Sequence, residues 1–217
     1  MKKISKNILP FFSLLIFSCA YFNTFYNARD YFNKAEESRK NKKNNLSITD
    51  LNQYEKVIEK AQIVLDEYPE SKLRKPAYYL IGKSHYHRGE YTQSEFAFKK
   101  LKAEYGLIEE HETNFWLALI KWKKGKPQPA LDDLELIIAE SHNNELKAQA
   151  MLFSGDIYLE LESDSIALNY LDKAAALTKD TYEKGEIYFR ISNSAFESGD
   201  LNRALKAYDL VIKYSKN

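Results

Sequence analysis

Residues 78–106 read YYLIGKSHYHRGEYTQSEFAFKKLKAEYG. In the first half, Tyr78, Ile81, Gly82 and His85 fall at i, i+3, i+4 and i+7, one face of an α-helix. Gly89 permits a left-handed helix stop, and Glu90-Tyr91 begins a second helix. On that second helix a small residue, Ser94, is followed by bulky Phe98 and Leu101. Two short helices folded back on one another need small side chains where their axes approach, because a bulky one there would force the pair apart.

The same pattern recurs along the chain. Small residues stand at Gly82, Ala118, Gly155 and Ser192, spaced 36, 37 and 37. A second small series (Ser94, Ala130, Ala167, Ala204) has the same spacings. So do two further series, Phe98, Leu134, Leu171, Tyr208 and Leu101, Ile137, Ala174, Val211. Between the small series lie turn sequences: Gly89-Glu90-Tyr91, Gly125-Lys126-Pro127, Glu162-Ser163-Asp164 and Gly199-Asp200-Leu201. One period earlier the bulky and small positions land on Val57, Ala61 and Val64, which predicts a helix over 49–68. Its partner falls at 21–39, set off by an insertion around 40–45, with either Ala28 or Ala35 as the small contact. The expected fold is all-α, an α-solenoid of about five helical hairpins at about 21–69, 75–106, 111–141, 146–179 and 182–216. Each hairpin can bury its apolar face only against its neighbours.

Composition agrees with long helices. The 217 residues include only 7 Gly and 5 Pro against 16 Tyr and 12 Phe, too little punctuation for the turns of an all-β domain. With 32 basic and 31 acidic side chains, the net charge of +1 excludes the strong positive field of non-specific nucleic-acid binding. One cysteine, Cys19, excludes an internal disulfide framework and a multi-cysteine metal site.

The amino terminus reads as an address. Lys2, Lys3 and Lys6 precede an apolar run of about ten residues, 8–17, short of the about 20 that cross a bilayer. The segment Leu15-Ile16-Phe17-Ser18-Cys19 resembles the lipobox of bacterial lipoproteins, departing from it at bulky Phe17. That resemblance implies removal of residues 1–18 as a signal peptide and lipidation of Cys19. Two or three acyl chains would anchor stably where one holds weakly. Removal would leave a net charge of −2, and Ala20 after the cysteine implies sorting to the periplasmic face of the outer membrane.

The repeat resembles the tetratricopeptide repeat, with small residues in mid-helix, Gly between the helices and a closing Tyr-Pro such as Tyr68-Pro69. Ser94, Ser192 and Glu162 depart from that pattern, and the period exceeds the usual one by two or three residues, placed between hairpins. With the lipobox and almost no linker, the chain resembles BamD-like outer-membrane assembly lipoproteins. Tyr26-Asn27-Ala28, Tyr68-Pro69-Glu70-Ser71 and Gly89-Glu90-Tyr91 stand where that family has similar residues. The resemblance implies a non-catalytic periplasmic adapter that docks on the barrel-assembly protein and meets unfolded outer-membrane protein segments. A general periplasmic scaffold for envelope maintenance, secretion or motility is the alternative, and an accessory to a peptidoglycan enzyme a third.

No catalytic constellation or cofactor motif stands out. His85 and His87 are two apart, on different helix faces, unlike the i, i+4 pair of a metal site; with His111 and His142 they read as structural or solvated. The expectation is therefore no enzyme, metal or cofactor, and a protein-binding surface. Aromatics recur at i and i+7 on the second face of the first helix of each hairpin: Tyr79 and Tyr86, Phe115 and Trp122, Phe189 and Phe196. Leu152 and Leu159 are the aliphatic version, with Lys83, Lys123, Asp156 and Asn193 as polar neighbours. Such rings serve either a peptide-binding groove or packing between hairpins.

Overall fold

The structure is a computed structural model that describes the backbone of residues 9–42, 45–106 and 110–215 and the side chains of 23–42, 45–106 and 111–214. The described residues form ten α-helices and no strand: α1 (Leu9–Asn41), α2 (Ile48–Glu67), α3 (Arg74–His87), α4 (Tyr91–Tyr105), α5 (Glu110–Lys123), α6 (Pro127–Glu140), α7 (Asn144–Glu160), α8 (Asp164–Leu177), α9 (Thr181–Glu197) and α10 (Leu201–Ser215). The helix starts are written in the sequence. Ser47 and Asp50 form a reciprocal capping box on α2, the Asp50 carboxylate accepting from the Ser47 N–H at 2.8 Å. Asn143 and Asp180 cap α7 and α9, and Pro127 opens α6, where its missing N–H costs nothing.

The chain divides into two compact units, residues 1–108 and 109–217. Within each unit every helix packs on the one before and the one after it in sequence. In the first unit the core runs from Ala28, Phe32 and Ala35 on α1 through Tyr54, Val57, Ala61 and Val64 on α2 to Ala77, Leu80 and Ile81 on α3. Ala28 and Ala35 are both fully buried, so α1 meets α2 through two small contacts one heptad apart. In the second unit Leu168, Leu171, Ala174 and Ala175 on α8 pack against Ile187 and Ile191 on α9.

The small-residue series lies where helices touch. A Cβ on Gly82 would sit 2.7 Å from the Phe98 ring, and one on Gly155 would sit 2.8 Å from Leu171. Both pairs span one hairpin at the same repeat positions, and the bulky partners are fully buried, with no room to retreat. In the α3–α4 hairpin the Ser94 hydroxyl donates to the Gly82 carbonyl at 2.7 Å, which is why a serine replaces alanine there without leaving a buried hydroxyl unpaired.

The four turns share one backbone solution. Gly89, Gly125 and Gly199 have φ of 75°, 74° and 82°, and Glu162 holds the same repeat position at φ 54°. A left-handed conformation costs an L-residue about 1–2 kcal/mol, so Glu162 stores strain that glycine would not.

Two outcomes are expected from urea denaturation. Gly82→Ala should destabilise the protein by about 1–3 kcal/mol through overpacking against Phe98. Glu162→Gly should raise stability by about 0.5–1 kcal/mol, the relieved strain less the added freedom of the unfolded chain.

Candidate functional site

In the first unit, α3 presents Tyr79, Lys83 and Tyr86 along one stripe, all half-buried. The Tyr79 ring meets Phe98 edge-on at 5.9 Å, and the Tyr86 ring meets Tyr91 at 5.6 Å. Lys83 Nζ lies 4.8 Å from the Phe32 ring centroid and 5.5 Å from that of Tyr79, so its ammonium is held by two aromatic faces. The stripe therefore joins packed rings to a cation at its centre.

Beneath this stripe is a polar hub, half-buried around the fully buried Tyr54, that the sequence motifs do not flag. Glu36 on α1 accepts from Arg39 at 2.8 Å and from the Tyr54 hydroxyl at 2.6 Å, and His87 Nε2 lies 3.3 Å from the same carboxylate. The Tyr54 and His87 rings stack at 5.1 Å. Burial works to raise the Glu36 pKa, but the Arg39 hydrogen bond, the His87 and Arg39 charges and the Tyr54 hydrogen bond together outweigh it and lower it to about 2. Burial lowers His87 to about 4, aided by the Arg39 and Lys83 charges and opposed by Glu36. Burial and the Glu36 carboxylate push the Tyr54 phenol up. The Tyr54–Glu36 hydrogen bond ties α2 to α1, and the His87 ring of α3 stacks on Tyr54 beside the same carboxylate, so α3 joins the hub by ring contact. Only the i, i+3 spacing of Glu36 and Arg39 hints at it in the sequence.

In the second unit the aromatic positions change character from one hairpin to the next. Phe115 and Trp122 on α5 are 3% and 8% exposed, and both rings pack edge-on against Phe153 of α7. The Trp122 indole N–H donates to Glu160 at 2.6 Å, and Lys123 Nζ sits 3.5 Å from the Trp122 ring centroid. These two rings pack between hairpins. Leu152 and Leu159 on α7 are partly buried against the α8–α9 core. Phe189 and Phe196, one repeat further on, are 39% and 61% exposed. Asp156 is bonded by Arg190 of α9 through both carboxylate oxygens, at 3.0 and 2.7 Å. Burial nevertheless raises its pKa, with Arg190 opposing. Asn193 accepts from the Tyr208 hydroxyl at 3.0 Å.

Within each unit the residues that the sequence places in a groove have different settings. Tyr79, Lys83 and Tyr86 share a stripe in the first unit. In the second unit, Phe115 and Trp122 are interior, Asp156 is engaged by Arg190, and Phe189 and Phe196 are exposed. Cys19 lies within the α1 backbone, which continues through the 18–19 junction; its side chain and residues 1–8 fall outside the described residues. Among the described residues no helix is long and apolar enough to cross a membrane, and no three histidine, cysteine or carboxylate side chains gather as metal ligands do.

Two stretches match tetratricopeptide repeat families, residues 76–106 and 185–217. No curated protein is significantly similar in sequence. Among solved structures, the chain is similar to MamA (41-end) from Desulfovibrio magneticus RS-1, with 15% identity and TM-score 0.57 over 88% of this chain and 96% of that one. It is also similar to the Rap protein complexed with competence and sporulation factor, at 18% identity and TM-score 0.68, covering 88% of this chain and 54% of Rap. A third is YrrB, described as a TPR protein with an unusual peptide-binding site, at 18% identity and TM-score 0.50 over 93% of both chains.

The hub predicts an acid-labile fold. His87 and Glu36 both have folded pKa values below their ordinary 6.5 and 4.5. The unfolded chain therefore binds more protons, and stability is complete above about pH 6.5 and falls on acidification, first through His87 and then through Glu36 down to about pH 2. Chemical denaturation from pH 7.5 to 4 should show this decline, and His87→Gln should flatten it between pH 6.5 and 4.5. An unchanged slope in the variant would remove His87 from the account.

The two repeat matches, the helical hairpins of each unit and the solved structures of like fold agree: the chain carries tetratricopeptide repeats, and its described helices fold in the tetratricopeptide-like manner.

Proposed function

We propose that this protein is a non-catalytic adapter, fixed by lipid at Cys19 to the periplasmic face of the outer membrane, that serves the assembly of outer-membrane β-barrel proteins. The observation that carries the adapter reading is the α3 stripe, where half-buried Tyr79 and Tyr86 flank Lys83 over aromatic rings. A peptide laid along it gains apolar contact from the rings and a charge-assisted bond from the ammonium, which is how helical-repeat grooves hold extended segments. The lipobox-like Leu15-Ile16-Phe17-Ser18-Cys19 and the basic, apolar leader before it support the anchor. The BamD-like assortment of lipobox, near-absent linker and helical hairpins supports the assembly role.

In this reading the first unit meets unfolded barrel segments, whose alternating apolar side chains suit the ring-lined stripe, and the second unit meets the assembly partner. The similarity to YrrB, with its peptide-binding site, is consistent with a peptide-binding use of this fold.

Two experiments test it. Cys19→Ala should move the protein from the membrane fraction to the soluble fraction; full membrane retention of the variant contradicts the lipid anchor. Detergent solubilisation of native membranes and pull-down should recover the barrel-inserting protein, and Lys83→Glu should reduce the co-recovered unfolded barrel substrate several-fold without loss of folded protein. Recovery of secretion, motility or peptidoglycan-enzyme components instead, under conditions that keep the barrel-assembly complex intact, contradicts the assembly role.

A further inference from the structure

In the first unit, α1 and the start of α3 border an open cavity of about 460 Å³, lined by Asn23, Phe25, Tyr26, Arg29 and Leu73. Its size falls in the range of about 300–1,000 Å³ that small ligands occupy. Phe25 and Leu73 are partly buried against the core that α1, α2 and α3 share, and they supply its apolar wall. Tyr26 is 60% exposed. The Arg29 guanidinium lies 5.9 Å from the Tyr26 ring centroid and pairs with no carboxylate among the described residues. The adjacent carboxylate, Asp30, is held by Lys34 at 2.7 Å. Among the described residues no acidic side chain lines the cavity, and the loop that leads to Leu73 carries Glu70 and Lys72, both exposed and opposite in charge.

We propose that this cavity seats the headgroup of an anionic phospholipid, an inference that rests on the lipid anchor proposed at Cys19. The chemistry of the lining carries the choice of occupant. An apolar wall beside one guanidinium without a carboxylate suits an amphiphile that is anionic at one end. Arg29 offers a phosphodiester two parallel N–H donors, while the Tyr26 ring and the arginine stem cover the glycerol and the first methylenes. The backbone of an extended peptide is uncharged and leaves that guanidinium unanswered.

Place is the second observation. The α1 backbone is continuous from Cys19 to Arg29. At the helical rise, Asn23 stands about 6 Å and Arg29 about 15 Å along the axis from the anchored residue. The headgroup layer of one leaflet is about 5–8 Å deep, and its attraction for a cation extends about 10 Å further. The cavity is thus within reach of the lipids that surround the anchor. Tyr26, an exposed ring with a polar tip, is the side-chain type enriched at that depth. A headgroup held there gives the first unit a second attachment to the bilayer, and so an orientation that an acyl anchor at one residue does not supply.

The test uses the purified 217-residue chain carrying Cys19→Ala and dihexanoyl phosphatidylglycerol below its micelle concentration. Ligand-observed NMR should show saturable binding that Arg29→Gln weakens about tenfold or more. Lys100→Gln, which removes the same charge from an exposed lysine over the Phe96 ring of α4, should leave it unchanged. Dihexanoylglycerol and inorganic phosphate should each bind far more weakly than the phospholipid. As a readout that needs no substitution in the cavity, phosphatidylglycerol with a diazirine in one acyl chain should photolabel residues 23–29 or Leu73. Affinity indifferent to Arg29→Gln, equal binding of dihexanoylglycerol or phosphate, or labelling confined to residues 1–18 would each overturn the proposal. So would labelling of the cavity by a diazirine-bearing barrel-strand peptide and not by the lipid. Neither readout needs an acylated Cys19, so these results judge the cavity alone, whereas membrane retention of Cys19→Ala counts against the anchor.

Discussion

Everything in this fold depends on how closely two helix axes can approach. At Gly82 and Gly155 the neighbouring helix places Phe98 and Leu171 less than 3 Å from where a β-carbon would stand. The bulky partner fills the notch that the small residue leaves, so each hairpin is a lock between one missing side chain and one large one. Because a hairpin so built presents apolar faces on both sides, it is stable only when neighbours cover them, and the chain answers by repeating the unit. The surface chemistry is a consequence. Positions covered by the next hairpin are free to be large and apolar, and the same positions form apolar surface wherever they are exposed.

One sequence series can therefore be core and surface at once. Phe115 and Trp122 occupy the positions that Phe189 and Phe196 occupy two hairpins later, yet the first pair is interior and the second exposed. The difference is made by Phe153 and the rest of α7, which close over α5. Polar bonds follow the same spacing. Trp122 to Glu160 spans 38 residues, Tyr170 to Glu135 spans 35 and Arg190 to Asp156 spans 34, about one repeat each, so directional bonds fix the stacking that apolar contact drives.

Much of the fold was legible in the sequence because the decisive constraint is steric and local. The small series, the bulky series and the turns share one period, and Glu162 adopts the left-handed backbone of the glycines it replaces, as its place in the series predicts. The site was less legible. Periodicity names the face on which Tyr79 or Phe115 lies but not what a neighbouring hairpin puts over it, so packing and binding rings look alike in sequence. The hub of Glu36, Arg39, Tyr54 and His87 draws on three helices, with partners up to 51 residues apart, and no spacing rule joins them. His87, read among structural or solvated histidines, is half-buried and stacked on Tyr54. The choice between Ala28 and Ala35 could not be made from sequence because α1 uses both.

The most direct test of the small-to-large lock is a double-mutant cycle between Gly155→Ala and Leu171→Ala, read by urea denaturation. If the methyl group added at 155 and the side chain removed at 171 compete for one space, the glycine substitution should be costly alone and cost little in the Leu171→Ala background, a coupling of at least about 1 kcal/mol. Additive effects, with Gly155→Ala equally costly in both backgrounds, would contradict the account that close approach at these positions holds the hairpins together.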